Sequence, residues 1–162
     1  MTRRRVLVLA SVLPWLLAPG GAGVCRDDFG RWQAELPDCQ VRPANGPGWS
    51  CQRLEVIQTS DQVISLRFVR QGDDRLEHRE LQVIGIVKAG EGLDCNANGC
   101  SPTPSLHLMV TGLATLDSSG RGLAPTSPVG AVARGECQWL QRQLRCSLRA
   151  GQAPTWTIQA SL

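Results

Sequence analysis

Seven positions from Asp94 to Cys100, in the stretch GLDCNANGCSPT, hold an aspartate, two asparagines, a glycine and two cysteines. Oxygen-bearing side chains at alternate positions, Asp94, Asn96 and Asn98, followed by Gly99, are how a calcium loop begins, because alternate oxygens wrap the ion and glycine permits the sharp turn. The second half does not follow suit. The position that should supply a bidentate glutamate is Ser105, and Pro102 and Pro104 forbid the helix that would carry it. One carboxylate, two amides and some carbonyls fall short of the six to eight oxygens that calcium takes. The preferred reading is a turn closed by a disulfide between Cys95 and Cys100, in which Asn98-Gly99 supplies the left-handed conformations; a weak calcium- or ligand-binding module is the alternative.

Other chemistries have candidates as well. Structural zinc sites space paired cysteines by two to four intervening residues, and Cys137 and Cys146 have eight residues between them. A cysteine nucleophile needs a base, and the two histidines are His78 and His107. His107 lies opposite the apolar side of its strand, and His78 sits in the alternating charges of DDRLEHRE, which read as a solvated turn and strand edge. Glu77 and Glu80 form an acidic pair, but arginines surround them and no apolar pocket is visible that would raise a carboxyl pKa for acid-base work. No metal, cofactor or catalytic set is assigned. Among the tryptophans, Trp139 and Trp156 fall on core faces. Trp49, in NGPGWSC, either packs over the Cys51 sulfur or, if exposed, anchors a partner.

The ends of the chain indicate where these residues work. MTRRRVLVLASVLPWLLAPGGAG opens with arginines, continues through an apolar run from Val6 to Ala18 and ends in small residues, the layout of a secretory signal peptide over residues 1–23. The run is shorter than the roughly 20 residues a membrane-spanning helix needs. Arg3, Arg4 and Arg5 account for the whole formal charge of +3, so a chain cleaved there is formally neutral. Neutrality removes the electrostatic case for nucleic acid or anionic membrane, which rests on a basic surplus. Residues 24–162 form one domain with a core of its own. With no Asn-x-Ser/Thr acceptor and a single lysine, Lys88, a bacterial periplasmic or secreted protein is expected.

All seven cysteines, Cys25, Cys39, Cys51, Cys95, Cys100, Cys137 and Cys146, follow the leader, and in an oxidising compartment they read as disulfides with one left over. In GECQWLQRQLRCSL, a hairpin centred on Gln141-Arg142 sets Leu140 against Gln143, Trp139 against Leu144 and Cys137 against Cys146. Opposed residues share a face, so Cys137, Trp139, Leu144, Cys146 and Leu148 all point to the core. A one-residue slip would break both the disulfide and the apolar face. The third bridge is placed between Cys39 and Cys51, across the Pro/Gly loop.

The elements that hold these residues are mainly strands. Phe29, Trp32 and Leu36, behind Asp27 and Asp28, predict a short helix over 26–36. Period-two alternation then takes over, with strands at Arg53 to Thr59, around Ile64 to Phe68, at Leu106 to Val110, and at Trp156 to Leu162. Leu81 to Val87 is apolar on both faces, as a central buried strand would be. Seven or eight strands joined by Gly/Ser/Asp turns predict an antiparallel sandwich, with a small barrel as the alternative. The expected role is a non-enzymatic, exported, disulfide-stabilised domain that binds another protein or joins an envelope assembly. The rival is a small exported hydrolase or thiol enzyme. Alkylation of the native protein without reduction, followed by mass spectrometry, should leave Cys95 and Cys100 unmodified; labelling of both would overturn the disulfide-closed turn.

Overall fold

The computed structural model describes residues 29–43, 45–72, 78–118, 129–152 and 155–162; the expected leader, Cys25, Glu77 and residues 119–128 lie outside them. The described residues form twelve strands: β1 (Arg31–Glu35), β2 (Asp38–Arg42), β3 (Trp49–Ser50), β4 (Arg53–Gln58), β5 (Val63–Gln71), β6 (His78–Val87), β7 (Leu93–Asn96), β8 (Gly99–Pro102), β9 (Ser105–Ser118), β10 (Val129–Leu140), β11 (Gln143–Ala150) and β12 (Thr155–Ser161). Ten of them form one antiparallel sheet in the order β1-β4-β5-β6-β9-β10-β11-β12-β2-β3, and β7 pairs with β8 as a separate hairpin.

The order of the sheet explains its shape. β1 and β2 lie at opposite margins yet are joined directly through Leu36-Pro37, and β3 runs into β4 through Cys51-Gln52. Backbone bonds Leu36 N–H to Gln52 C=O (2.7 Å) and Cys51 N–H to Cys39 C=O (3.2 Å) carry the ladder across this corner. The N-terminal hairpin thus belongs to both margins, pairing with β5 through β4 and with β12 through β2. The result is a curled half-barrel whose concave face is the core. Irregular registers at Ile84/Gly85 and at Val132/Gly135 add the extra bend that such curling requires.

Inside, alternate residues of every long strand meet. Leu54, Val56, Ile64, Leu66, Phe68, Leu81, Val83, Leu106, Leu144 and Ile158 are fully buried, each contributing about 1.5–3 kcal/mol by leaving water. The β10–β11 ladder has the register that the alternation requires, with Cys137 opposite Cys146 and Trp139 opposite Leu144. Trp139 also meets Trp32 at 5.4 Å between ring centroids, tilted by 55°.

Four expectations change. There is no sandwich: a single sheet curls over its own face, so the barrel alternative is nearer the truth. Strands outnumber the expected seven or eight because the corner divides two long runs and the β7–β8 hairpin adds two more. No helix is found among the described residues; 31–35 is β1, because pairing with β4 (Trp32 opposite Val56, Ala34 opposite Leu54) outweighs a local spacing that fits a helix equally well. Leu81 to Val87 is buried on one face only, with Ile84 partly exposed and Ile86 38% exposed.

Gly135 sits at the β10 irregularity with φ at +149°, and a Cβ there would strike the backbone of Ser147 and Leu148. Gly135→Ala should lose roughly 1–3 kcal/mol by urea denaturation, while Gly130→Ala, where nothing lies within 4 Å, should lose far less.

Candidate functional site

Three disulfides join Cys39 to Cys51, Cys95 to Cys100 and Cys137 to Cys146. Among the described residues no cysteine is left as a thiol, so a cysteine nucleophile would have to be Cys25, which lies outside them. The sulfurs of Cys95 and Cys100 lie against the backbone of Gly30, where a Cβ would overlap them. The hairpin is therefore clasped onto the start of β1. Its tip is a tight turn in which the Asn96 carboxamide oxygen accepts the Asn98 N–H at 2.8 Å, and Gly99 has φ at +120°. The base is fixed by Gln58, a residue the alternation gives no reason to single out. Its Oε1 accepts the Leu93 N–H at 2.7 Å while its Nε2 donates to the Ser60 carbonyl at 3.1 Å. Trp49 is buried, within the same core group as Cys39 and Cys51.

Two of the titratable candidates, His78 and Glu80, meet on the convex face. Arg67 donates from Nε to Glu80 Oε1 and from Nη2 to Glu80 Oε2, both at 2.7 Å, and from Nη1 to Glu55 Oε2 at 2.7 Å. Arg53 lies 3.2 Å from Glu55, and the His78 ring 3.3 Å from Glu80. The register places Arg67 directly opposite Glu55, so this is a cross-strand ladder of opposite charges. Burial would push the Glu80 carboxyl up; the two bonds and the charge of Arg67, with a smaller part from His78, outweigh it and hold the carboxyl below its usual range. A carboxylate held down in this way is the reverse of a general acid, whose pKa must rise towards neutrality.

His107 is half exposed. Its backbone N–H bonds Glu91 Oε2 at 2.6 Å, and its Nδ1 lies 3.1 Å from Glu91 Oε1. Burial again opposes, and is outweighed by, the His107 bonds and the Lys88 charge that lower the Glu91 pKa.

Beside this pair the convex face becomes apolar. Ile86 stands opposite Met109, and Met109 opposite Glu136; one row along, Ile84, Gly112 and Val132 are neighbours. Exposure rises across the group, from 38% at Ile86 to 62% at Met109 and 78% at Val132. A depression of about 540 Å³ is lined here by Ile86, Met109, Lys88, His107, Glu136 and Gln138. The sequence carried a signal for this surface, since the second apolar face of Leu81 to Val87 was visible as such. Its reading as two-sided burial presumed a second layer. The chain matches no protein-family profile, no curated protein and no solved structure.

The charge ladder makes a pH-dependent prediction. Because the folded Glu80 pKa is depressed, its carboxylate stabilises the fold above the ordinary value of 4.5, and that contribution is lost as pH falls through the folded value. Arg67→Met should therefore lower stability at pH 7 by roughly 1–3 kcal/mol, below the figure for a fully buried pair because the Arg67 side chain is 28% exposed. Urea titrations should show the difference from the parent shrinking as pH falls below that ordinary value and Glu80 becomes protonated.

Proposed function

We propose that the protein is an exported, non-enzymatic domain of a bacterial periplasm or extracellular space, and that it acts by binding a protein through the convex face of β6, β9 and β10. Three intramolecular disulfides are consistent with an oxidising compartment, and the arginine-led apolar leader supports the route there.

The observation that carries the binding reading is the exposed group Ile86, Met109 and Val132. Clustered apolar side chains on a soluble surface mark interaction sites far more often than scattered ones do. Methionine is suited to the role, being flexible and polarisable enough to fill irregular gaps. Lys88, His107, Glu136 and Gln138 surround it with both signs of charge, the polar rim that an apolar interface centre needs. Partner recognition of this kind uses no cofactor and needs no insertion into a membrane.

A photo-crosslinking side chain placed at Met109 in the exporting cells should yield a discrete adduct with a second protein, lost when Val132→Asp is added. A probe at Gln40, exposed on β2 and separated from β10 by β11 and β12, should not. Equal adducts from both positions, or none from Met109, would overturn the reading. Val132→Asp should leave stability within about 0.5 kcal/mol, as expected for a surface position.

A further inference from the structure

We infer that β1 is a self-pairing edge, and that the protein associates with a second copy of itself by antiparallel addition of β1 to β1 about Gln33. The inference is independent of the convex-face reading and uses a different part of the sheet.

β1 occupies one end of the sheet order, paired with β4 alone. Its hydrogen-bonding parity follows from two bonds, Gln58 N–H to Gly30 C=O at 2.9 Å and Leu36 N–H to Gln52 C=O at 2.7 Å. In an antiparallel ladder alternate residues exchange both backbone bonds with the partner strand, and those between turn their N–H and C=O to the other side. Gly30, Trp32, Ala34 and Leu36 therefore face β4. Arg31, Gln33 and Glu35 point their backbone groups away from it. β12 cannot receive them: its pairing with β2 runs from Thr157 opposite Arg42 to Ser161 opposite Asp38, and the β7–β8 hairpin, which touches the start of β1 at Gly30, is a separate sheet that forms no ladder with it. All three residues are exposed, and among the described residues none has another backbone partner.

Charge selects the occupant. Placed antiparallel to itself with Gln33 on the two-fold axis, β1 sets Arg31 opposite Glu35 of the second copy and Glu35 opposite its Arg31. Trp32 then faces the small Ala34, and Gln33 faces Gln33. Each pair of 31 with 35, and of 33 with 33, is of the kind that exchanges two backbone bonds, so hydrogen-bond parity and charge agree on one register. Neither Arg31 nor Glu35 has an ion pair within its own chain among the described residues, so both are available. A contact of this kind is isologous: it uses both β1 edges and closes at a dimer. Charged residues commonly protect a sheet edge from indiscriminate pairing; here their order along the strand admits an identical strand in a single register.

Two sets of variants test this with the full exported chain. In a Cys25→Ser background, Gln33→Cys should form a disulfide-linked dimer under mild oxidation, since directly opposed residues of the bonded kind stand about 5.5 Å apart at Cα, within disulfide range. Arg31→Glu should weaken dimerisation by roughly tenfold or more in sedimentation equilibrium, because both symmetric pairs become repulsive together. Adding Glu35→Arg should restore it, with far-UV circular dichroism unchanged throughout. A parent that stays monomeric at sub-millimolar concentration, or a charge swap that fails to restore association, would overturn the inference. Neither result would bear on the convex face, which is read by the Met109 crosslink.

Discussion

The corner at Leu36-Pro37 and Cys51-Gln52 is the constraint on which the rest of the fold depends. A sheet of alternating strands has two faces and two margins, and burying one face by curling requires the margins to be brought together. The kinked hairpin achieves this because one covalent run of chain lies at both margins. Pro37 suits the position, since it has no N–H to contribute to a ladder that is changing partners. Gln52 turns its carbonyl to Leu36 and its N–H to Val69, so its two backbone groups serve different strands. The Cys39–Cys51 bridge closes the same corner covalently.

Curling decides what each face can do. The concave side is filled by large apolar side chains with little or no exposure, as is usual when a small closed sheet packs its own interior. Among the described residues the convex side has no layer over it and satisfies itself strand by strand. Along β4, β5 and the first half of β6 it does so with charge, through Glu55, Arg67 and Glu80. Further along β6 and across β9 and β10 the same face carries Ile84, Ile86, Met109 and Val132. One sheet thus changes from a self-satisfied polar surface to an apolar one over a few residues.

Legibility in the sequence followed the range of the interactions. The β10–β11 hairpin could be read to the residue because its evidence is local: two cysteines, two turn residues and an apolar alternation all within one short stretch. The choice between sandwich and barrel could not be read, since the same alternation serves an inner face whether its partner is a second sheet or the far side of a curled one. The 26–36 segment shows the limit from the other direction. Phe29, Trp32 and Leu36 fit a helical stripe, yet Trp32 and Leu36 are also same-face residues of a strand, and only the distant pairing with β4 decides between them. Gln58 was invisible for a related reason. Its carboxamide acts on Leu93, thirty-five positions away, and nothing in its own neighbourhood announces that partner.

The disulfides add a last step to this reasoning. Their sequence separations are 12, 5 and 9, so each closes a local loop and none ties distant parts of the chain. In the chain-entropy account short loops gain least from cross-linking, and the closure between β2 and β12, the longest-range pairing in the sheet, is left to backbone bonds and buried surface. The bridges therefore set local geometry at the corner, the clasp and the β10–β11 hairpin, while closure depends on every intervening strand holding its register. That division of labour also accounts for the open edge of β1. Closure is made by β2 alone, on the far side of the corner, so the segment before the corner stays in the sheet through β4 with its other side unpaired.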